Sequence, residues 1–589
     1  MTCALAYVIF LLYLCTVKRS WYIFLAFFAA LWSKNLLFNG FVFAAAMPWG
    51  FWQYFVAQLC AAVFVASFVL ISRRPWWTIA ALVIVDIWGL ANWLYFQSYG
   101  LFVSFSMLGI AGNLHGYTDS IRAFIDWRIP VFIAPTLLYA LALYFLPRRQ
   151  ERHAGAFAGM FGLGIALIML NNILIHVGRS QDGYCDGPLT FRKTLPLYID
   201  EKRMLDDWES SYSLMRNHSL IGYMPLHVVY ENKMEQYRMV CQDTFTEQEQ
   251  EWISALTNVP TAPLTPNSHL VFILVESLES WALYYPGITP RMNALRNNPH
   301  AFYADKLVSE KRHGMSADGQ LIVNTGLLPL QTGVASVLYG TNTYPNFAHL
   351  YPRSIVINPS KGTWNKNVTM PAYGYREMIE PESVSEQTWW NDAQVCDKAA
   401  AWMEQSDSLS CAFVLTISSH APFEKVSGMT AAVTDDTPYL MGKYLNCMHY
   451  TDSCIGALLD QLTEQGKMEN TTVVITSDHA FFHSNRRHPL VSYAQRHDLP
   501  ITQDDQYVPL IIYSPHSASP VEVSERCYQM DTYSTVLHAI GCDAYTWRGC
   551  GVNLFDEDAR QHRLLTEEEA YKLSDKLIRN NWFEAHKPH

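Results

Sequence analysis

Thr471-Thr-Val-Val-Ile-Thr-Ser-Asp-His-Ala480 reads as a short buried β-strand that stops on an Asp-His pair. A run this rich in β-branched residues fits a strand covered on both faces of a parallel sheet. In open α/β sheets, ligands bind outside the carboxyl ends of the strands. Asp478 and His479 would therefore stand at the catalytic edge. A second run, Ser268-His-Leu-Val-Phe-Ile-Leu-Val275, ends the same way on Glu276. One such strand is ordinary, with a carboxylate capping the next helix. Two ending alike point to a site for a divalent metal of the zinc or manganese kind, since both accept carboxylate and imidazole together.

The chain has 589 residues, 50% of them hydrophobic and 14% aromatic, which is too apolar for one soluble domain. The excess lies before about residue 178. Apolar runs fall at 3–17, 21–46, 51–72, 77–98, 129–147 and 155–177, most of them near the ~20 residues a bilayer-spanning helix needs. The first is short. Its basic residues, Lys18-Arg19, follow the run instead of preceding it, so an uncleaved segment is expected and not a signal peptide. Lys18-Arg19, Arg73-Arg74 and Arg148-Arg149 with Arg152 occupy alternate loops. Placing them in the cytoplasm gives six crossings, an N-terminus outside, and everything after residue 178 outside as well.

A net charge of −11 argues against a nucleic-acid partner. Nine cysteines lie in the outer region: Cys185, Cys241, Cys396, Cys411, Cys447, Cys454, Cys527, Cys542 and Cys550. Their odd number leaves at least one unpaired within the chain, and no CxxC spacing supports a zinc knuckle. Disulfides are permitted by an extracytoplasmic compartment. Cys447 and Cys454 are too far apart on a helix to bridge each other.

The expected organisation is a membrane domain of five to six helices at 1–178, a helical connector at 179–265, a catalytic α/β domain at 266–560 and a charged tail at 561–589. Pro260 and Pro263-Leu-Thr-Pro266 mark the second boundary. Strands are expected at 268–275, 411–418, 471–477 and 507–513. A helix is expected over 440–466, where Leu445, Met448, Ile455, Leu458, Leu459 and Leu462 trace an apolar stripe. Alternation of strands and helices predicts a mostly parallel sheet with helices on both faces.

Between the two site strands lies His313-Gly-Met-Ser-Ala-Asp-Gly-Gln320. Ser316 reads as the N-cap of a helix starting at Ala317. That position favours negative charge on the capping oxygen, and a neighbouring metal would make the hydroxyl a nucleophile. A third strand brings His420 to the same edge, to hold a phosphate oxygen or a leaving group. His483, Arg486, Arg487 and His488 follow on a polar loop and are either surface residues or pocket lining. Trp389-Trp390 reads as a binding wall or a core pair.

Several motifs carry a resemblance: Glu276-Ser277, Ser316-Ala-Asp-Gly-Gln320, Asn324-Thr-Gly-Leu-Leu-Pro329, Gly340-Thr-Asn-Thr-Tyr344, Tyr450-Thr-Asp452, Ser477-Asp-His479 and Arg548-Gly-Cys-Gly551. From about residue 20 to 556 the chain is similar to the lipoteichoic acid synthase type of membrane phosphoglycerol transferase, in the alkaline phosphatase and sulfatase superfamily. The resemblance implies an N-terminal transmembrane helical bundle followed by an alkaline phosphatase/sulfatase-like α/β domain. It implies a metal site of Glu276, Ser316, Asp478 and His479, with manganese expected and zinc the alternative. It also implies transfer of a phosphoglycerol-type group from a phospholipid donor to a glycan or lipid acceptor through Ser316, where the family has threonine. The expected location is a bacterial-type inner membrane, multi-pass, with the catalytic domain extracytoplasmic or periplasmic.

The family's head-group pocket has a histidine and then a Trp-Asn-Arg run. Matching that run to Trp390-Asn391-Asp392, and the histidine region to Glu380-Pro-Glu382, makes the pocket acidic. His420, Trp390 and Asp392 are then the expected substrate contacts, and a cationic head group becomes an alternative. A phosphoethanolamine transferase using zinc is the second enzyme reading. A non-catalytic membrane sensor or scaffold is the reading from another class. An ordinary sulfatase is disfavoured: formylglycine maturation needs Pro at +2 and Arg at +4 from the reactive residue, and Asp318 and Gln320 stand there, which excludes that maturation signal.

Overall fold

The structure is a computed structural model describing residues 2–43, 51–99, 102–103, 125–145, 151–180, 188–199, 210–241, 245–259, 263–331, 333–383, 388–405, 407–423, 436–482, 484–502 and 506–586. These form two compact units, one up to about residue 239 and one from about residue 240. The division falls inside the expected connector 179–265.

The first unit contains helices α1 (Thr2–Phe43), α2 (Phe51–Ser67), α3 (Trp77–Tyr99), α4 (Arg128–Tyr144), α5 (Ala154–Ser180) and α6 (Ser210–Cys241). Among the described residues, three stretches are long and apolar enough to cross a membrane: Ser20–Phe43, Trp77–Gln97 and Ala154–Val177. Val56–Ile71 and Arg128–Tyr144 are shorter apolar helices. The turn expected at Lys18-Arg19 is absent, because those residues lie within the unbroken α1. The first two apolar runs are one helix, so a hairpin of two crossings is ruled out there. The aromatic residues Phe38, Phe43, Phe96, Phe102 and Tyr223 build the core of this unit. Asp86, in the apolar run 77–98, is buried and ion-paired with the buried Lys34, and it accepts a hydrogen bond from Thr136 Oγ1 at 2.5 Å. A charge so far from water is retained only when paired.

The second unit is built on a nine-stranded sheet in the order β4-β3-β5-β1-β6-β7-β2-β8, with β9 also against β2. The strands are β1 (His269–Val275), β2 (Ala301–Val308), β3 (Arg353–Ile357), β4 (Glu377–Ile379), β5 (Ser410–Leu415), β6 (Thr471–Ser477), β7 (Tyr507–Tyr513), β8 (Val521–Val523) and β9 (Cys527–Tyr528). All pairs are parallel except β6–β7 and β7–β2. The five strands β4-β3-β5-β1-β6 therefore end on one common edge. Every residue of β1, β5 and β6 is buried, as the continuous apolar runs required.

Helices of this unit used below are α7 (Ser316–Thr325), α8 (Asp392–Glu404), α9 (Tyr439–Glu464), α10 (Asp531–Ala539) and α11 (Glu567–Arg579). The expected 440–466 helix is α9, whose apolar stripe faces the sheet. The charged tail is folded: in α11, Tyr571 donates to the carbonyl of Glu310 at 2.6 Å, and Ser574 accepts the amide of Leu328 at 2.9 Å. It thereby holds the chain on both sides of α7. Among the described residues, Cys396, Cys411, Cys447, Cys454, Cys527, Cys542 and Cys550 are all unbridged.

Candidate active site

The register of the two central strands assembles the site. Val275 of β1 lies opposite Ser477 of β6, so the next residues, Glu276 and Asp478, emerge side by side at the carboxyl edge. Immediately after the strand, Ser277 takes a left-handed φ of 57°. Its amide donates to Asp478 Oδ1 and its hydroxyl to Glu276 Oε1, each at 2.8 Å. A turn this tight costs strain at a non-glycine residue, and it orients both carboxylates.

Helix α7 delivers Ser316 to the same place. The helix begins at Ser316 itself, with Met315 (φ 45°) as the capping residue, one position earlier than the sequence implied. Asp318 in the first turn, and not Ser316, closes the preceding loop, accepting the amides of Arg312 at 2.7 Å and Gly314 at 2.8 Å. Burial pushes the Asp318 carboxyl up to about 7. Gly319 lets the helix touch the strand end, since a Cβ there would stand 2.0 Å from the carbonyl oxygen of Asp478. Gly326 ends α7 at φ 66° against Gly549, where a Cβ would lie 2.6 Å from the Gly549 Cα. The Asn324–Pro329 and Arg548–Gly551 motifs thus meet backbone to backbone.

Ser316 Oγ donates to Glu276 Oε2 at 3.3 Å and lies 3.3 Å from His479 Nε2. The imidazole is 3.7 Å from Glu276 Oε1 and 3.5 Å from Asp478 Oδ2. Its Nδ1 donates to the Ala480 carbonyl at 3.2 Å, leaving Nε2 as the atom that faces the carboxylates. Lys311 donates to that same carbonyl, tying the segment ahead of α7 to the end of β6. Burial holds the His479 imidazole down at about 4, so the ring is neutral. Burial, and then the charge of Asp478, hold the Glu276 carboxyl well above the usual carboxylate range.

One ligand atom from each of Glu276, Asp478 and His479 lies within 4.8 Å of the others, and all three residues are buried. Two crowded carboxylates with a neutral imidazole fit a divalent cation, which would relieve their mutual repulsion.

Beside this cluster opens a small, partly open cleft. Glu276, Ser316, Gln320, Ser360, Thr363, Trp364, Lys366, Thr416, His420 and Asp478 are on its walls. Lys366 was not expected. It is buried, donates to Ser360 Oγ at 3.1 Å, and is lowered to about 8 by burial against the pull of Glu276, Glu380 and Asp478. The sequence signal was present: Trp364-Asn365-Lys366 repeats the family's Trp-Asn-basic pattern.

Trp390-Asn391-Asp392, expected to contact substrate, is not on the cleft wall. Asp392 is fully buried at the start of α8. It accepts the amides of Ile417 at 2.8 Å and Ser418 at 2.9 Å, and the hydroxyl of Thr451 at 2.6 Å. Its lone pairs are spent on shaping the loop after β5, and it is not on the cleft wall. Glu380 accepts from Asn358 at 2.9 Å, and Glu382 is exposed. None of Glu380, Glu382 and Asp392 is on the cleft wall. Trp390 sits under Lys398, 4.3 Å from ring centroid to ammonium, and is also absent from the cleft wall. Trp389 instead meets His420 edge-on at 5.7 Å. His483 and the side chains of Arg486, Arg487 and His488 lie outside the described residues. Asp452, from the Tyr450-Thr-Asp452 motif, accepts the amides of Arg291 and Met292 and caps the short helix there.

A half-buried serine hydroxyl, two buried carboxylates and an imidazole, at the edge of a parallel sheet in a chain with apolar N-terminal helices, mark a membrane phosphotransferase of the cell envelope. Residues 268–542 match the sulfatase family model, and residues 9–182 match the lipoteichoic acid synthase N-terminal domain. Lipoteichoic acid synthase 1 of Bacillus subtilis strain 168 is 22% identical over 495 residues, 80% of this chain and 73% of the relative. The lipoteichoic acid synthase of Staphylococcus aureus strain USA300 is 20% identical over 500 residues, 80% of this chain and 73% of the relative. The fold is also that of the integral membrane lipooligosaccharide phosphoethanolamine transferase A of Neisseria meningitidis. That structure matches at a TM-score of 0.50 and 14% identity, over 88% of this chain and 95% of that one. Across both matched regions the chain is similar to the lipoteichoic acid synthases of the alkaline phosphatase/sulfatase superfamily.

Proposed function

We propose that this protein transfers a phosphoglycerol-type group from a phospholipid to a glycan or lipid acceptor through a phospho-serine at Ser316. The observation that carries the reading is the position of Ser316 Oγ, 3.3 Å from both Glu276 and His479 at the start of α7. A helix N-terminus stabilises the developing negative charge on such an oxygen.

In the first half-reaction the Ser316 Oγ–phosphorus bond forms while the bond from phosphorus to the diacylglycerol oxygen breaks. The serine proton leaves along the hydrogen bond to Glu276, and the departing oxygen takes a proton from His420. Nδ1 of His420 is engaged with the Ala421 carbonyl at 2.7 Å, so Nε2 is the atom that exchanges this proton. In the second half an acceptor hydroxyl gives its proton to His420 and attacks phosphorus, and Ser316 departs and is reprotonated. Lys366, on the wall beside Ser316, balances charge on the phosphoryl oxygens.

Glu276, Asp478 and His479, with Ser316, would hold the divalent metal; manganese leads and zinc is the alternative. When bound it supplies Lewis-acid stabilisation of the serine oxygen and of the phosphoryl group. Lys366 on the cleft wall, with Glu380, Glu382 and Asp392 off it, favours glycerol over a cationic ethanolamine head group. We further propose that the catalytic unit is extracytoplasmic and the anchor multi-pass. With α1 as one helix, the basic-loop rule puts the N-terminus in the cytoplasm, opposite to the six-crossing expectation.

The test is turnover of phosphatidylglycerol and phosphatidylethanolamine vesicles by the full chain and by Ser316→Ala, before and after chelation and with manganese or zinc restored. Turnover of the glycerol lipid that needs both Ser316 and metal supports the reading. Activity that survives exhaustive chelation or loss of Ser316 refutes it.

A further inference from the structure

In the membrane unit, side chains from four helices gather into a polar cluster inside otherwise apolar surroundings. They are Asn35 of α1, Gln58 of α2, Asn171 of α5, and Asn217, His218 and Ser219 of α6, all buried. Asn35 ties the group together: its side-chain amide donates to the main-chain carbonyl of Gln58 at 2.8 Å and its Oδ1 accepts the main-chain amide of Ile221 at 3.1 Å. Asn171 donates to the Asn217 carbonyl at 3.0 Å. Helices α2 and α5 run antiparallel, with Phe68 against Phe157 and Phe64 against Gly164. That register carries Asn171 to the level of Gln58. One turn further along α2, Ala61 faces Gly222, where a Cβ would lie 3.6 Å from the Ala61 Cβ and 3.8 Å from Ser219 Oγ. Residues three apart share a helix face, so Gln58 points toward the same segment of α6.

At Ser219 the helix is broken, with φ 65° and ψ 169°. Among the described residues, both amide atoms of Gln58, Oδ1 of Asn171, Oδ1 of Asn217 and Oγ of Ser219 are buried without a hydrogen-bond partner in the protein. Polar atoms left unmade in so dry a place are costly. A set contributed by three helices and a strained backbone has the character of a recognition site.

We propose that this cluster binds the hydroxyl groups of an uncharged polyol head group, glycerol or sugar, on a lipid. The donor–acceptor inventory selects that chemistry. It offers N–H and O–H donors from Gln58 and Ser219, and oxygen acceptors from Gln58, Asn171 and Asn217. A phosphate would meet three acceptor oxygens and an ammonium would meet the donors. Neighbouring hydroxyls both give and take, and so match the whole set. That such a lipid is the donor or acceptor of the reaction rests on the proposed function; its binding here does not.

The test is thermal unfolding of the detergent-solubilised full chain titrated with glucosyl-diacylglycerol, phosphatidylglycerol or phosphatidic acid, for the wild type, Gln58→Leu and Ser219→Ala. Gln58→Leu removes an unpaired buried amide, so by itself it should be as stable as the wild type or more so. The expected result is a rise in Tm with the hydroxyl-bearing lipids whose half-saturation moves at least tenfold in Gln58→Leu, with phosphatidic acid giving no shift that depends on Gln58. A response to the sugar lipid alone, or to the glycerol lipid alone, assigns the source. If Gln58→Leu and Ser219→Ala titrate like the wild type, or phosphatidic acid behaves as the other two, the proposal is overturned. Because binding is read without turnover, an inactive Ser316→Ala protein that still shows the Gln58-dependent shift would separate this site from the transfer reaction.

Discussion

Replacing Gly319 by alanine should disable the enzyme far more than it unfolds it. The added methyl would stand 2.0 Å from the Asp478 carbonyl oxygen, 2.6 Å from its carbonyl carbon and 2.7 Å from its Cα. None of these is the end of a flexible side chain. The oxygen is also pinned by the amide of Gln529 at 2.8 Å. Ordinary contact starts near 3.4 Å, so α7 and the end of β6 must separate by about 1.4 Å. Overpacking of this kind costs about 1–3 kcal/mol of stability. The same displacement acts directly between Ser316 on the helix and Asp478-His479 on the strand. A misplacement of ~1 Å is worth roughly 100-fold in rate, or about 2.7 kcal/mol of transition-state stabilisation. The assay is release of diacylglycerol from a fluorescent phosphatidylglycerol, run beside thermal unfolding of the same preparations. Gly319→Ala retaining turnover within threefold of wild type, while folded, would refute the claim that close approach of α7 and β6 sets the geometry.

Lys366→Met should lower kcat/KM by about 10–100-fold, as expected when a charge-assisted contact to phosphate is lost, and Lys366→Arg should recover most of it; equal activity of all three would remove Lys366 from the site. Burial raises the Asp452 carboxyl to about 6, above the usual carboxylate range, so its ionisation opposes folding. Stability should fall as pH rises from about 4 to about 6 and level off above that, by at most about 3 kcal/mol; Asp452→Asn should flatten that part of the Tm–pH curve, and an unchanged slope would contradict the assignment. A cysteine placed at Thr2 should be labelled by a membrane-impermeant thiol reagent only after the membrane is opened; labelling of intact cells would restore an outside N-terminus.

The centre of the sheet was legible because β1, β5, β6 and β7 are short runs rich in β-branched and apolar residues, the pattern of buried strands. The remaining strands were not. β2 carries Asp305 and Lys306 at its half-exposed end, and β3, β4, β8 and β9 are at most five residues long. Glu276, Asp478 and His479 were readable because a strand end fixes where the next side chain goes. Lys366 was missed because Trp-Asn occurs twice, at Trp364-Asn365 and at Trp390-Asn391, and only the fold tells a cleft wall from a helix cap. Asp392 shows the same limit, since a buried carboxylate that shapes a loop and one that grips a ligand look alike in sequence. The first apolar run was misread because two basic residues resemble a loop, although their long side chains are tolerated within a helix near a membrane boundary.

The most direct measurement is the mass of the peptide carrying Ser316 after brief incubation of the full chain with phosphatidylglycerol, manganese and no acceptor. The account predicts an added phosphoglycerol on Ser316, lost on addition of acceptor and absent in Ser316→Ala. Steady turnover with no adduct on Ser316 at any time, or an adduct on another residue, would contradict it.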